Sequence, residues 1–232
     1  MFEILEKKNL NPFVTMMKIN APRVAKKAEP GQFIILRTDS EGERIPLIIL
    51  RVDNEGERIP LTVADYDREK GTVSIIFQIV GATTEKLNHM NVGDFLSDFT
   101  GPLGKATETS GLKKVAVVGG GVGCAIAYPV AKKLHEMGVE VHAVVGFRNK
   151  ELLILEDEFR AASSKLVIMS DDGSVGEKGL VTDALRNLIE SGEKYDRVIT
   201  IGPIIMMKFV CQLTKEYNIP TVASMNPVMI DG

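Results

Sequence analysis

The sequence contains no tryptophan, only two cysteines and only three histidines among its 232 residues. The two cysteines, Cys124 and Cys211, cannot form a four-thiolate metal site, and we expect two buried thiols in a reducing compartment. The net charge of −3 lacks the basic excess that is typical of nucleic-acid partners. No apolar run approaches the roughly 18 residues of a membrane span, and the N-terminus lacks a signal-peptide pattern. We therefore expect a cytoplasmic protein with no nucleic-acid and no membrane partner.

A fourteen-residue segment occurs twice in direct succession, as residues 34–47 (IILRTDSEGERIPL) and residues 48–61 (IILRVDNEGERIPL), with twelve identical positions. Solenoid folds need periods of about 20 residues or more and at least three copies, so this pattern indicates a local tandem duplication. We predict that copy one supplies one strand, that copy two supplies the next, and that residues 39–54 form surplus chain as an elongated hairpin or loop.

The two halves of the chain differ in hydrophobic period. Residues 1–105 carry short β-rich runs at 32–36, 61–64 and 72–78 between turns, with one short helix at 83–90, which favours an antiparallel β-barrel domain. Residues 112–225 alternate apolar strands with helix-length segments, which favours an α/β domain with a five-stranded parallel sheet. The predicted strands are 114–118, 140–146, 165–169, 197–201 and 221–223, and the predicted helices are 122–137, 151–162, 179–191 and 203–217.

The sharpest local signal is a glycine-rich turn that joins the first strand and the first helix of the second half. Glycines there let a diphosphate approach the N–H groups and the positive dipole end of a helix, although such a turn can also bind nothing. Cys124 stands where the usual dinucleotide fingerprint has a third glycine, and no carboxylate follows the second strand to hold a ribose diol. Arg148 stands in that place, where it could bind a ribose phosphate or could equally be a solvated cation of the loop. The turn consists of Gly119, Gly120, Gly121, Val122 and Gly123.

Other polar loops follow the strands of the predicted sheet, at the edge where such sheets bind ligands. Residues 170–174 (SDDGS) follow the third strand and residues 202–207 (GPIIMM) follow the fourth. Asp and Gly are also ordinary turn formers, and a Met pair can be core filler. In the first half, residues 58–62 (RIPLT) and 81–84 (GATT) suit phosphate and ring contacts, but a charged turn and a helix cap account for them almost as well.

The order of these motifs resembles the ferredoxin–NADP reductase superfamily. Within it, DDGSVGEKG at 171–179, GPIIMMK at 202–208 and MNPVMIDG at 225–232 resemble one subfamily. That subfamily contains the electron-transfer subunit of dihydroorotate dehydrogenase and the small FAD subunit of NADH-dependent ferredoxin:NADP oxidoreductases, also known as sulfide dehydrogenase. The segments RIPLTVADYD and NPVMIDG look closer to the second of these.

The resemblance implies a flavoprotein that passes reducing equivalents between NAD(P)H, FAD and an iron–sulfur centre or partner subunit. No histidine is flanked like a catalytic base, and the hydride chemistry belongs to the cofactors themselves. Arg58 would lie at the FAD diphosphate and Thr62 near the flavin ring. The residues implied for FAD are Arg58, Pro60, Leu61, Thr62, Phe77, Gln78, Gly81, Thr83 and Thr84. The residues implied for NAD(P) are Gly119, Gly120, Gly121, Val122, Gly123, Arg148, Asn149, Asp172, Gly173, Gly202, Pro203 and Met206.

Members of this family continue into a Cys-rich arm that holds a [2Fe–2S] cluster, which residues 226–232 would begin. In the ferredoxin:NADP type, an Asp at the position of Asp231 is a cluster ligand. No cysteine follows Asp231 here, so we expect that this polypeptide does not hold the cluster by itself. The implied partner is a larger oxidoreductase subunit, with ferredoxin as a further one.

Three alternatives to this function stay open: a dihydroorotate dehydrogenase electron-transfer subunit, a stand-alone NAD(P)H flavin reductase, and a non-catalytic nucleotide-binding subunit that docks a catalytic partner. The resemblance favours NADH, but the missing carboxylate leaves NADPH open as well.

Overall fold

The computed structural model describes residues 1–38 and 59–225. The chain divides into two compact units, one running from Met1 to Ala106 and the other beginning at Thr107. Among the described residues, no helix combines the length and the apolar character that a membrane crossing requires.

The first unit is an antiparallel sheet that curls into a nearly closed barrel. In the described residues the sheet has seven strands in the order β6-β1-β2-β5-β4-β3-β7. Two short helices, α1 (Pro22–Ala25) and α2 (Ala82–His89), join the strands. The strands are β1 (Phe2–Asn11), β2 (Val14–Asn20), β3 (Phe33–Arg37), β4 (Ile59–Asp67), β5 (Thr72–Gln78), β6 (Phe95–Leu96) and β7 (Asp98–Leu103).

The barrel closes because alternate side chains of its strands point inward. Met17 and Ile19 of β2, and Ile75 of β5, are fully buried in one apolar core. Burying a side chain of this size stabilises the fold by about 1.5–3 kcal/mol. Phe2 and Phe99 lie with their ring centroids 5.6 Å apart at the β1 end of this core.

The two copies of the repeat contribute to adjacent strands. Copy one supplies Ile34, Ile35 and Leu36 to β3, and copy two begins β4, where Leu61 pairs with Ile34 and Pro60 pairs with Ile35. Residues 39–58 lie outside the described residues, and so does the predicted surplus segment at 39–54.

The second unit is a parallel sheet between helices. In the described residues the strand order is β11-β10-β9-β8-β12-β13, and all neighbours are parallel. Helices α3 and α4 contact each other, and so do α5 and α6, which gives two helical layers. The strands are β8 (Lys114–Gly120), β9 (Glu140–Phe147), β10 (Lys165–Ser170), β11 (Glu177–Lys178), β12 (Arg197–Ile201) and β13 (Thr221–Ala223), and the helices are α3 (Cys124–Glu136), α4 (Glu156–Ala161), α5 (Val181–Glu190) and α6 (Ile204–Glu216).

The predicted fold class, an antiparallel barrel followed by an α/β unit, is confirmed, with three differences of detail. The parallel sheet has a sixth strand, β11, whose two residues are too few to show a hydrophobic period. Helix α4 begins at Glu156 and not at 151, because Asn149 caps a separate 3-10 turn (Lys150–Leu152) and Leu155 has a left-handed backbone. Of the two thiols predicted to be buried, Cys124 is buried but Cys211 is only partly so.

Candidate functional site

The predicted dinucleotide residues converge on one edge of the parallel sheet. Strands β8, β9, β10 and β12 are parallel neighbours, so their carboxyl ends lie side by side. Loops carrying predicted residues follow all four strands. Neighbouring strands are about 4.8 Å apart, so the loops that follow adjacent strands are within contact distance of each other.

The glycine turn packs directly against the turn that follows β12. A Cβ on Gly123 would lie 2.6 Å from the Cα of Gly202 and 2.7 Å from the carbonyl oxygen of Ile201. A Cβ on Gly120 would lie 2.4 Å from the Sδ of Met206. Only glycine therefore allows the two turns to touch, and their close packing leaves a backbone cradle at the start of α3.

The residue that replaces the third glycine of the fingerprint has a packing role. Cys124 begins α3 and is fully buried. Its Sγ lies 2.9 Å from the position that a Cβ on Gly119 would take, so Gly119 provides the close helix–strand approach that the third glycine usually provides. Burial raises the pKa of the Cys124 thiol strongly, which excludes a thiolate nucleophile or ligand at neutral pH.

The loops after β9 and β10 are joined by hydrogen bonds. The backbone N–H of Asp172 donates to the carbonyl oxygen of Arg148 at 3.3 Å, and the N–H of Lys150 donates to the Ser174 hydroxyl at 2.8 Å. The Asn149 side chain is used as a cap, since its Oδ1 accepts from the N–H of Leu152. Arg148 and Asp172 are both exposed at this corner, and Gly173 has a left-handed backbone with φ of 79°.

A carboxylate is therefore present beside the end of the second strand, although it comes from the neighbouring strand's loop. Hydrogen bonds from the Ser174 hydroxyl and backbone N–H hold the pKa of Asp172 below its ordinary value, so Asp172 is ionised at neutral pH. Asp172 is among the dinucleotide residues predicted from the sequence, but it was not identified there as the carboxylate beside the end of the second strand, because that carboxylate was sought only among the residues that follow β9. The signal was the DDGS loop itself, whose distance from Arg148 depends on strand order.

The turn after β12 supports the cradle from the other side. Gly202 and Pro203 precede α6, and Pro203 is exposed. Met206 is half-buried and also packs against the core on the α5–α6 side of the sheet. Met206 therefore fills core space, as one interpretation of the Met pair predicts, and its thioether also contacts the glycine turn, as the other predicts.

In the first unit, Thr62 has an unused hydroxyl. Thr62 is buried in β4, opposite Phe33 of β3, and its Oγ1 has no hydrogen-bond partner among the described residues. A buried hydroxyl without a partner costs about 1–3 kcal/mol, so a ligand heteroatom that bonds it would recover that energy. Pro60 and Leu61 precede it half-buried on the same strand, while Arg58 lies outside the described residues.

The other predicted flavin residues lie where β5 leads into α2. Phe77 is buried and Gln78 exposed at the end of β5. Gly81 caps α2, and the Thr84 hydroxyl accepts from the N–H groups of Val80 and Gly81, each at 3.0 Å. Thr84 is thus a helix cap in this structure, as one of the two interpretations of GATT predicts. Thr83 is half-buried in the first turn of the same helix.

A cluster of charged groups at the opposite, amino-terminal edge of the sheet was not predicted. The Lys114 ammonium bridges the carboxylates of Glu140, at 2.8 Å, and Glu193. The buried ring of His142 contacts Glu140 at 3.1 Å and the Tyr195 hydroxyl at 2.9 Å. Ligand atoms of Glu140, His142 and Glu193 lie within 4.8 Å of one another, but the Lys114 ammonium already pairs with both carboxylates, so we interpret the cluster as structural.

These two units define a class: a barrel followed by an α/β unit whose strand edge carries a glycine cradle is the architecture of ferredoxin reductase-like flavoproteins. Solved structures agree. The chain superposes on an NADH-dependent reduced ferredoxin–NADP oxidoreductase with a TM-score of 0.86 and 39% identity, covering 100% of this chain and 78% of that one. The cytochrome b5 reductase domain of Ulva prolifera nitrate reductase shares the fold, with a TM-score of 0.71 at 17% identity, over 96% of this chain and 95% of that one.

Sequence comparisons identify the family, although no family model matches the chain. An uncharacterized protein of Clostridium beijerinckii is 48% identical over 240 residues, which cover 100% of this chain and 76% of that protein. A dihydroorotate dehydrogenase B (NAD(+)) electron transfer subunit homolog of Thermotoga maritima is 41% identical over 230 residues, covering 99% of this chain and 76% of that protein. The chain belongs to the family of dihydroorotate dehydrogenase B electron-transfer subunits and their homologues, and it is an electron-transfer subunit of a flavin-dependent oxidoreductase.

Proposed function

We propose that the chain binds FAD through its first unit and NADH through its second, and passes electrons from NADH to a larger partner subunit. Bound FAD and NADH would supply the chemistry, which is hydride uptake by a flavin that can release electrons singly. The protein supplies the orientation of the two cofactors, and holding two reactants in a fixed geometry can itself account for much of a rate enhancement. The main support is the glycine cradle of the second unit, where Cβ atoms on Gly119, Gly120 and Gly123 would lie 2.4–2.9 Å from neighbouring atoms.

The first unit offers groups that fit a flavin. The Thr62 hydroxyl is buried without a partner among the described residues, and a ring heteroatom that hydrogen-bonds it would satisfy it. The start of α2 at Gly81 offers backbone N–H groups and the positive end of a helix dipole to a phosphate. Pro60, Leu61, Phe77, Gln78, Thr83 and Arg58 would complete the FAD contacts.

The second unit offers groups that fit a dinucleotide along one sheet edge. The cradle at Gly119–Gly123 would receive the diphosphate. Arg148, Asn149, Asp172 and Gly173 would lie at the adenosine end, beside β9 and β10. Gly202, Pro203 and Met206 would lie at the nicotinamide end, beside β12. The names of several relatives specify NAD(+), which supports NADH as the electron donor.

The described residues do not fit an iron–sulfur cluster. Cys124 is buried beneath the glycine turn, and Cys211 lies apart from it on α6. Asp231 lies outside the described residues. We therefore place the electron acceptor in a partner subunit or elsewhere in the assembly, with ferredoxin as a further acceptor.

An anaerobic titration tests the proposal. The purified chain is reconstituted with FAD, and the flavin absorbance is followed during addition of NADH and, in a second sample, of dithionite. We expect both to bleach the flavin. Bleaching by dithionite alone would show flavin binding without hydride transfer. A chain that cannot be reconstituted would refute the flavin assignment and favour a docking subunit.

The partner is tested separately by co-purification from the source cells with the reconstituted chain as bait. We expect a larger oxidoreductase subunit in stoichiometric amount. A chain that elutes alone and reduces small diffusible acceptors at full rate would instead be a stand-alone reductase.

A further inference from the structure

We propose that Ser174 is a positioning residue of the dinucleotide site, which fixes the Asp172 carboxylate at the adenosine ribose and thereby favours NADH over NADPH. This inference rests on the proposed function. It assigns a role to a residue that touches no cofactor itself and acts only through its neighbour.

Ser174 joins two loops and a carboxylate at one point. Its hydroxyl accepts a hydrogen bond from the N–H of Lys150 in the loop after β9. The Ser174 backbone N–H donates to Asp172 Oδ1 at 2.9 Å, and the nearby hydroxyl contributes to the lowered pKa of that carboxylate. Ser174 thus fastens the loop after β10 to the loop after β9 through its hydroxyl and holds Asp172 through its backbone N–H.

The contacts that Ser174 makes are important because of where Asp172 lies. Dinucleotide-binding units of this kind usually hold the ribose diol with a carboxylate at the end of the second strand, and here that strand ends in Phe147-Arg148-Asn149-Lys150 with no carboxylate. Ser170 of β10 pairs with Phe147 of β9, so Asp172, two residues further along, lies beside the vacant position. The neighbouring strand thus supplies the missing group.

Arg148 stands at the same corner and would attract a 2′-phosphate, so the two side chains oppose each other in selectivity. Asp172 is held by the hydrogen bond from the Ser174 backbone N–H and by its own N–H bond to the Arg148 carbonyl. The Arg148 guanidinium makes no ion pair or hydrogen bond within the described parts of the chain. A fixed group loses less conformational entropy on binding than a mobile one, so Asp172 is the stronger determinant. Its fixed charge repels a phosphate and accepts hydrogen bonds from a diol.

The experiment compares two redox-inert probes, ADP-ribose and 2′-phospho-ADP-ribose, by calorimetry on the FAD-reconstituted chain. The variants are Ser174→Ala, which removes the hydroxyl, and Ser174→Thr, which keeps it. Ser191→Ala is the matched control, because it removes an exposed hydroxyl that bonds the Leu188 carbonyl far along the chain. The ratio of KM for NADPH to KM for NADH is measured in parallel.

We expect the wild type to prefer ADP-ribose by at least about tenfold, and Ser174→Ala to lose most of that preference, since it releases the Asp172 loop from the Lys150 N–H. Ser174→Thr should restore it, and Ser191→Ala should match the wild type. Asp172→Asn should lose the same preference, and adding Ser174→Ala to it should change little more. In Ser174→Ala, the ratio of KM for NADPH to KM for NADH should change while kcat with saturating NADH stays constant.

Two results would overturn the assignment and leave the proposed function intact: an unchanged preference in Ser174→Ala, or an equal loss of both probes. A wild type that binds ADP-ribose without preferring it would overturn it as well. A wild type that binds neither probe would instead refute the dinucleotide site, and the Ser174 role with it.

Discussion

Replacing Gly123 with alanine tests whether the glycine turn is both closely packed and part of the nucleotide site. Gly123 has an ordinary helical backbone, with φ of −57° and ψ of −20°, so alanine introduces no backbone strain. The added Cβ would, however, lie 2.6 Å from the Gly202 Cα and 2.7 Å from the Ile201 carbonyl oxygen. All three contacting atoms of Ile201 and Gly202 are backbone atoms, which no side-chain rotation can move away.

The size of the effect follows from these distances. Carbon atoms pack best at about 3.5–4.0 Å, so the two turns would have to separate by about 1 Å. Forcing an extra methyl group into a well-packed site costs about 1–3 kcal/mol, and the helix propensity of alanine recovers less than about 1 kcal/mol. We expect a net loss of about 1–2 kcal/mol in the free energy of unfolding of the second unit. A displacement of about 1 Å should also weaken NAD⁺ binding by tenfold or more.

Gly138→Ala is the matched control for this variant. Gly138 follows the other end of α3, has φ of +79°, and has no atom within 4 Å of its Cβ position. Alanine there costs about 1–2 kcal/mol through backbone strain alone, with no effect on the cradle. Urea unfolding is followed by tyrosine fluorescence, because three of the four tyrosines, Tyr128, Tyr195 and Tyr217, lie in the second unit. NAD⁺ binding is measured by calorimetry.

Both variants should therefore lose similar stability, while only Gly123→Ala should lose affinity. If Gly123→Ala is as stable as the wild type, the turns are not packed as described. If it loses stability but binds NAD⁺ with unchanged affinity, the cradle is not where the dinucleotide binds, and the proposed site is wrong.

Three further predictions concern other parts of the molecule. Burial lowers the pKa of His142 below its ordinary value, so the unfolded chain binds more protons than the folded chain below about pH 6.5. The free energy of unfolding should therefore fall on acidification, with a slope of up to about 1.4 kcal/mol per pH unit. Denaturation curves at several pH values should show this slope, and it should be absent in His142→Gln. Thr62→Val should leave the FAD-free protein as stable or slightly more stable, since it removes a buried hydroxyl that has no partner among the described residues, but it should weaken FAD binding in a flavin fluorescence titration. Unchanged affinity would contradict the flavin contact. Lys114→Met should lower the urea midpoint modestly, because it removes the cation that lies between the like-charged carboxylates of Glu140 and Glu193, and Glu193→Gln in the same chain should restore part of the loss. Full stability of the single variant would show that the cluster contributes little.

Much of the second unit could be predicted because single local signals decide its elements. The five longer strands are continuous apolar runs, and two of them, at 197–201 and 221–223, have the predicted bounds. The helices end within a few residues of their predicted bounds, apart from the start of α4. There the left-handed Leu155 (φ of 59°) separates the helix from the preceding 3-10 turn, and leucine gives no sequence signal for that conformation.

The first unit was less predictable because its pairings are non-local. Strand β5 has the predicted bounds, but β4 begins two residues before the predicted run at 61–64 and ends three residues after it, at Asp67. Polar and half-buried residues continue the strand there because β5 provides its hydrogen-bonding partner. The pairing of β1 with β6, which draws residues 2 and 3 against residues 95 and 96, has no signal in either segment alone.

The candidate site depends on strand order, which no local pattern encodes. The order β10-β9-β8-β12 places β8 at the point where the chain reverses direction across the sheet, and ligands of such sheets bind at that point. Its glycine turn therefore has β12 on one side, where Gly123 meets Gly202, and β9 on the other, where Ser174 fastens the next loop to Lys150. A different strand order would move Gly123 away from Gly202, or Ser174 away from Lys150, although every sequence motif would be unchanged. The motifs could thus suggest a dinucleotide, but only the strand order shows that the loop carrying Asp172 lies beside the end of β9.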